Sequence, residues 1–252
     1  MRVDGLKFSI AAHSAWAPGL ATAEAWAGWA QAPVRIGAAG GGVGPDPAVS
    51  AMPAMLRRRA GFLGKMALEV AYRCLDGRTD IAAVFCSRHG EVSRAVDLLG
   101  ELSQGEPMSP TGFGLAVHNA SAGLFSIART DRANHMALSA GAATVEHGVV
   151  EACGLLADGA PMVLLVVYDC ALPAALAHFE DCDEQPHAWA WLMTAPGAHA
   201  ISLACDAADA ADASAPGSTQ PGGLDVLHFQ LSGAASLVRQ AGVQRWTWTR
   251  DV

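Results

Sequence analysis

Three consecutive pieces of sequence decide how this chain is read: MSPTGFGLAVHNASAGLFSIA (Met108–Ala128), NHMALSAGAATVEHGVVEACGLLADG (Asn134–Gly159) and APMVLLVV (Ala160–Val167). The apolar run at Met162–Tyr168 is too continuous for an amphipathic surface strand and predicts a strand buried on both faces. His135–Ala140 predicts a second strand, and Ala143–Ala157 a helix leading away from it. Between them lies a turn of small residues, Ser139-Ala140-Gly141-Ala142-Ala143-Thr144. A strand-to-helix turn of this kind is where many α/β enzymes place a nucleophile, because the helix N-terminus stabilises negative charge. Here the tip holds Gly141 and Ala142, which carry no reactive atom.

Working outward, Val3–Ala12, Ile81–Cys86, Ala198–Cys205 and Gln244–Thr249 have strand character. Helices are expected at Thr22–Ala30, with Thr22 as N-cap and Trp26 and Trp29 on one face, and at Ala60–Leu75, Val92–Gly100 and Thr111–Arg129. A further helix is expected across Leu224–Ala241. Helices alternating with short apolar strands imply a mostly parallel sheet covered on both faces. Asp169–Gly197 reads as irregular and acidic. Trp189/Trp191 and Trp246/Trp248 have the period-two spacing of one sheet face. Gly37–Pro47 is a loop with no lysine to make a phosphate cradle. Ala207–Gly223 has linker composition.

The chain has 252 residues, is 52% hydrophobic and 16% charged, and carries a formal net charge of −8. An acidic chain whose only basic run is Arg57-Arg58-Arg59 is a poor binder of nucleic acid. The longest apolar run is too short to span a membrane. The six cysteines (Cys74, Cys86, Cys153, Cys170, Cys182 and Cys205) form no CxxC pair, as expected of reduced thiols in a cytoplasmic protein. No apolar leader is evident at the N-terminus. The spacing of His178, Cys182 and His187 is irregular and offers no fourth ligand, so neither a metal nor a cofactor is expected.

Among polar candidates, His118 and Asn119 form a distinctive pair, expected to pack a helix and to shape an interface or tunnel. Ser87, Arg88, His89 and Glu91 follow a strand, where functional loops of α/β folds gather. A Ser-His-Glu triad within five residues seldom attains triad geometry, so the cluster reads as a loop-ordering network. Ser139 lacks a GxSxG elbow. His147 reads as a solvated or interface residue.

Together, SRHGE (Ser87–Glu91), SPTGF (Ser109–Phe113), VHNA (Val117–Ala120) and VVYDCALP (Val166–Pro173) resemble the short β-ketoacyl-synthase-like family, whose members are called chain length factors and occur in aryl polyene-type pathways. The resemblance spans roughly Val3–Asp206. It implies a thiolase-like half-fold, a mostly parallel five-stranded sheet flanked by helices, with a short divergent C-terminal remainder. The implied division is a ketosynthase N-terminal-like domain over 1–206, a linker over 207–223 and a C-terminal helix and strand over 224–252. In a full ketosynthase the nucleophilic cysteine lies in the first half and two catalytic histidines in the second. Counting back from Gly159, the cysteine position falls on Ala142, with Gly141 beside it. The resemblance therefore implies a non-condensing subunit, paired with a full-length ketosynthase, that shapes an acyl tunnel in fatty-acid-like or polyketide synthesis. An acyl carrier protein would be engaged through that complex, and Arg57–Arg59 offers one basic surface for it. The strand at His135–Ala140, with Met136, Leu138, Ser139 and Ala140, is the expected interface, because thiolase-like dimers pair such strands. Two other readings stay open: an acyltransferase or condensing enzyme with another nucleophile such as Ser139, and a homodimeric acyl-binding scaffold.

Overall fold

The structure, a computed structural model, describes residues 3–37, 46–208 and 219–251. Most of the Gly37–Pro47 loop and of the Ala207–Gly223 linker lies outside the described residues. The elements in chain order are β1 (Val3–Trp16), α1 (Ala23–Gln31), α2 (Ala54–Arg57), α3 (Phe62–Leu75), β2 (Ala82–Cys86), α4 (Val92–Ser103), α5 (Pro110–Gly114) and α6 (Ala120–Arg129). They continue with β3 (His135–Leu138), α7 (Thr144–Ala157), β4 (Val163–Asp169), β5 (His187–Thr194), β6 (Ile201–Ala207), α8 (Gly222–Ser232), β7 (Ser236–Ala241) and β8 (Gln244–Arg250).

The strands form one eight-stranded sheet in the order β3-β2-β4-β5-β1-β6-β8-β7. Only β3-β2 and β2-β4 pair in parallel. The other neighbours are all antiparallel. The expected mostly parallel, five-stranded sheet is thus replaced by a larger, mixed and mostly antiparallel one. The cause lies after β4. Parallel return requires a long crossover, usually a helix, and the segment from β4 to β5 holds only a short 3₁₀ turn at Ala174–Phe179. The chain therefore turns back, and β5 runs antiparallel beside β4 with Val167 opposite Trp189 and Leu165 opposite Trp191. His187–Thr194, expected to be irregular, is this strand, and all but its last residue are buried.

Helices cover both faces. On one face α3 and α6 bury Met66, Leu68, Val70 and Phe125 against Phe85, Leu164, Val166 and Tyr168. On the other, α1, α7 and α8 pack over Leu165, Val167 and the four tryptophans Trp189, Trp191, Trp246 and Trp248. The two Trp pairs do share one sheet face, and each of the four is fully buried. At about 1.5–3 kcal/mol for each buried large apolar side chain, these layers supply most of the driving force for the fold. Thr22 caps α1 by accepting from the Ala25 amide, and Trp26 and Trp29 are buried on its inner face.

Two helix expectations fail for local reasons. Thr111–Arg129 is not continuous: α5 ends after Gly114, and α6 begins at Ala120 with Asn119 in the N-cap position. His118 and Asn119 therefore lie in the connecting turn and not inside a helix. Leu224–Ala241 is likewise divided, because Gly233 adopts the left-handed conformation (φ 70°) that ends α8. The chain beyond it becomes β7, which with β8 extends the common sheet from β6.

Candidate functional site

Because β2, β3 and β4 are parallel neighbours, their carboxyl ends lie side by side, with Cys86 opposite both Leu138 and Val167. This brings together three motifs far apart in sequence: the Ser87–Glu91 turn, the Ser139–Thr144 turn and Asp169. Functional groups of open α/β sheets gather at such an edge.

Asp169 is the centre of the first group. Its Oδ1 accepts from Ser87 Oγ at 2.9 Å and from the Arg88 amide at 2.8 Å. Ser87 Oγ in turn accepts from the Gly90 amide at 2.8 Å. Burial pushes the Asp169 carboxyl up to about 7, although these hydrogen bonds and Arg88 oppose the shift. His118 Nε2 donates to the Ser87 carbonyl at 2.9 Å. Its ring passes so close to Gly90 that a Cβ there would sit 2.7 Å from His118 Cδ2, and Gly90 also has a positive φ of 58°. Only glycine fits both demands.

Glu184 organises the second group. Its Oε1 contacts His89 Nε2 at 2.7 Å and Arg88 Nη1 at 3.4 Å, while Oε2 accepts from the Leu172 amide at 2.8 Å. Arg88 also pairs with Asp181 and donates to Cys182 Sγ at 2.7 Å. Burial raises the Cys182 thiol to about 11, with Arg88 only partly compensating, so it is a protonated thiol at neutral pH. Ser87 thus bonds Asp169, and His89 bonds Glu184 rather than Glu91, so no Ser-His-Glu triad forms. Glu91 lies apart, beside Gly64 and Arg94, with its carboxyl raised mainly by burial.

The Ser139–Thr144 turn lies against this network. Ser139 is outside β3 and donates from Oγ to the Arg88 carbonyl at 2.8 Å. Gly141–Ala143 form a single 3₁₀ turn running into α7. Gly141 is left-handed (φ 57°), and open space surrounds the place a Cβ would take. Thr144 Oγ1 fastens the turn, accepting from the Ala140 amide and donating to the Gly141 carbonyl. The geometry is that of a tight elbow at a helix N-terminus, with glycine and alanine at its tip. Asn119 is exposed, while Met136 and Leu138 are half-buried on the sheet's edge strand.

Two clefts flank the network. One of about 540 Å³ is lined by Phe62, His89, Glu91, Arg94, Asp169 and Cys170. The other, about 530 Å³, is lined by Arg88, Ala142, Cys182, Gly222 and Arg239. Among the described residues, no three His, Cys, Asp or Glu side chains are grouped to hold a metal. His187 is buried in β5 with Nδ1 bonded to the Gln185 carbonyl, away from His178. No helix among the described residues is long and apolar enough to cross a membrane.

Residues 26–249 match the family model described as the beta-ketoacyl synthase N-terminal domain. The chain belongs to that family. Its fold is similar to a chain in the structure "Ketosynthase (ApeO) in Complex with its Chain Length Factor (ApeC)" from Xenorhabdus doucetiae. That likeness has a TM-score of 0.84 and 28% identity, covering 97% of this chain and 100% of the other. A beta-ketoacyl synthase from Burkholderia phymatum STM815 shares the fold at TM-score 0.60 and 14% identity, over 91% of this chain and 71% of that one. The ishigamide ketosynthase/chain length factor does so at TM-score 0.56 and 14% identity, over 85% and 66%. No curated protein matches the sequence. The chain is therefore a ketosynthase-like protein of the thiolase-like type, resembling components of ketosynthase–chain length factor complexes.

Sequence reasoning located Ser87, Arg88, His89, His118 and Ser139 but missed Asp169, Glu184 and Arg239. Asp169 could have been found: it is an acidic residue ending a strand that is otherwise wholly apolar.

Proposed function

We propose that this chain is the non-catalytic, chain-length-factor-like partner of a full-length ketosynthase. The observation that carries this reading is the turn at Gly141–Ala143, which has a nucleophile elbow's shape without a nucleophile. Condensation needs a thiolate at such a helix N-terminus, and neither Gly141 nor Ala142 can attack a thioester. Ser139 offers no substitute, since its hydroxyl is spent on a backbone carbonyl. The likeness to a chain of similar extent in the ApeO–ApeC complex supports the same reading.

In this reading β3 is the pairing surface, because it ends the sheet with one unpaired edge. Met136, Leu138, Ser139 and Ala140 would meet the partner. His118 and Asn119 would shape the adjoining wall, and the acyl tunnel would run along that contact. An acyl carrier protein would deliver substrate to the complex, with the exposed Arg58 and Arg59 as one contact for its acidic surface. Co-expression with a full-length ketosynthase tests the proposal: the two should purify together, and elongation of malonyl-loaded carrier should require the partner's cysteine. Elongation by this chain alone would refute it.

A further inference from the structure

The C-terminal hairpin sends one charged side chain back to the elbow. Arg239, on β7, is almost wholly buried. Its guanidinium pairs with the fully buried Glu146 on the first turn of α7, and its Nε lies 3.3 Å from Asp225 Oδ2 on α8. Its Nη2 also donates to the Ala142 carbonyl at 3.3 Å. One residue thereby joins β7, α7, α8 and the turn that lacks a nucleophile. The site is built around it: a Cβ on Gly222 would lie 2.1 Å from Nη2, so the backbone there makes room for the guanidinium.

We infer that Arg239 is the positioning residue of the Gly141–Ala143 elbow, a charge clamp supplied by the C-terminal hairpin. Helix α7 begins without a side-chain cap from Ala143. Glu146 sits in its first turn, where negative charge is favoured, and Arg239 ties that carboxylate to the turn's own carbonyl. The clamp has a consequence for the cleft. Its floor beside Ala142 is formed by Arg239 and Arg88, both ion-paired, so a charged wall and not an apolar one faces the elbow. An acyl chain would be excluded from this side and confined to the β3 contact. That last step rests on the function proposed above, whereas the clamp itself does not.

Hydrogen exchange on the full-length chain tests the clamp without any partner. Arg239→Gln should raise exchange over residues 139–146 by roughly tenfold or more, as expected for losing a charge-assisted hydrogen bond at the turn. Arg239→Lys should restore part of the protection. Gly222→Ala keeps every charge and displaces only the guanidinium, so it should reproduce the local rise even if Arg239→Gln folds poorly. Lys7→Gln, a surface pair in the same sheet, should leave the segment unchanged. Unchanged exchange over 139–146 in both Arg239→Gln and Gly222→Ala would overturn the inference, as would a rise shared equally by β4 and β5. In the complex with a full-length ketosynthase the same variants should lengthen or broaden the product distribution. An unaltered distribution beside a loosened turn would count against acyl exclusion while leaving the clamp in place.

Discussion

The two ends of the sheet are built differently. At the β3-β2-β4 end the strands run parallel, are joined through helices, and deliver three carboxyl ends to one polar network. At the β6-β8-β7 end the strands are antiparallel, with a tight turn between β7 and β8, and contribute tryptophans to the core and Arg239 as a clamp on the elbow. The first end has the layout of a catalytic centre and the second the layout of a support. β5 and β1 join them, with Trp191 opposite Leu165 on one side and His13 on the other. Connectivity, more than composition, separates the end that could host chemistry from the end that steadies it.

If the support end is needed by the site end, damage to the tryptophan layer should spread. Trp191→Ala should cost about 4 kcal/mol, because a fully buried indole is replaced by a void. Protection should fall in β2 and β4 as well as in β8. A loss confined to β6–β8 would show two independent units. Glu146→Ala is expected next in size, at about 3 kcal/mol by denaturant titration, since Arg239 would lose the fully buried one of its two carboxylate partners.

A third test belongs to the parallel end alone. The Asp169 carboxyl is raised from 3.8 to about 7 in the folded protein, chiefly by burial. Between about pH 4 and 7 the folded chain keeps a proton that the unfolded chain has lost. Stability contributed by this group therefore falls as pH rises through that window. Both hydrogen bonds to the carboxylate end on Oδ1, which an asparagine carbonyl can replace. Asp169→Asn should then flatten the fall and gain about 2 kcal/mol at pH 8. Melting curves from pH 4 to 8 check this, and an Asn variant with the same pH slope as the parent would show that Asp169 is not the source. Smallest in stability and largest in assembly, Leu138→Asp on the edge strand should cost about 1.5 kcal/mol, because the side chain is half-buried against the core, while abolishing co-purification with a ketosynthase. Retained co-purification would move the pairing surface away from β3.

Much of the parallel end was legible in sequence. The apolar run of β4 and the small-residue turn before α7 have local signatures that packing does not override. Strand direction was not legible, because it depends on whether a crossover helix lies between β4 and β5, and the acidic stretch from Cys170 to Pro186 gave no period of its own. The end of α8 was marked by Ser232-Gly233, a C-cap signal masked by the apolar residues that continue into β7. Arg239 could not have been placed by spacing. Its partner Glu146 is 93 positions away, and only the folded chain brings them together. Glu184 shares that difficulty, since the Ser87–Glu91 turn takes this partner from beyond β4, whereas Asp169 had a local mark as the acidic end of an apolar strand.

In the proposed role the elbow is kept for assembly and not for chemistry. Intact-mass analysis of the complex with a full-length ketosynthase, after exposure to an acyl thioester, tests it most directly. A non-catalytic partner should leave an acyl adduct on the ketosynthase's cysteine and none on this chain. An adduct on this chain, whether at Ser139 or Cys182, would contradict it.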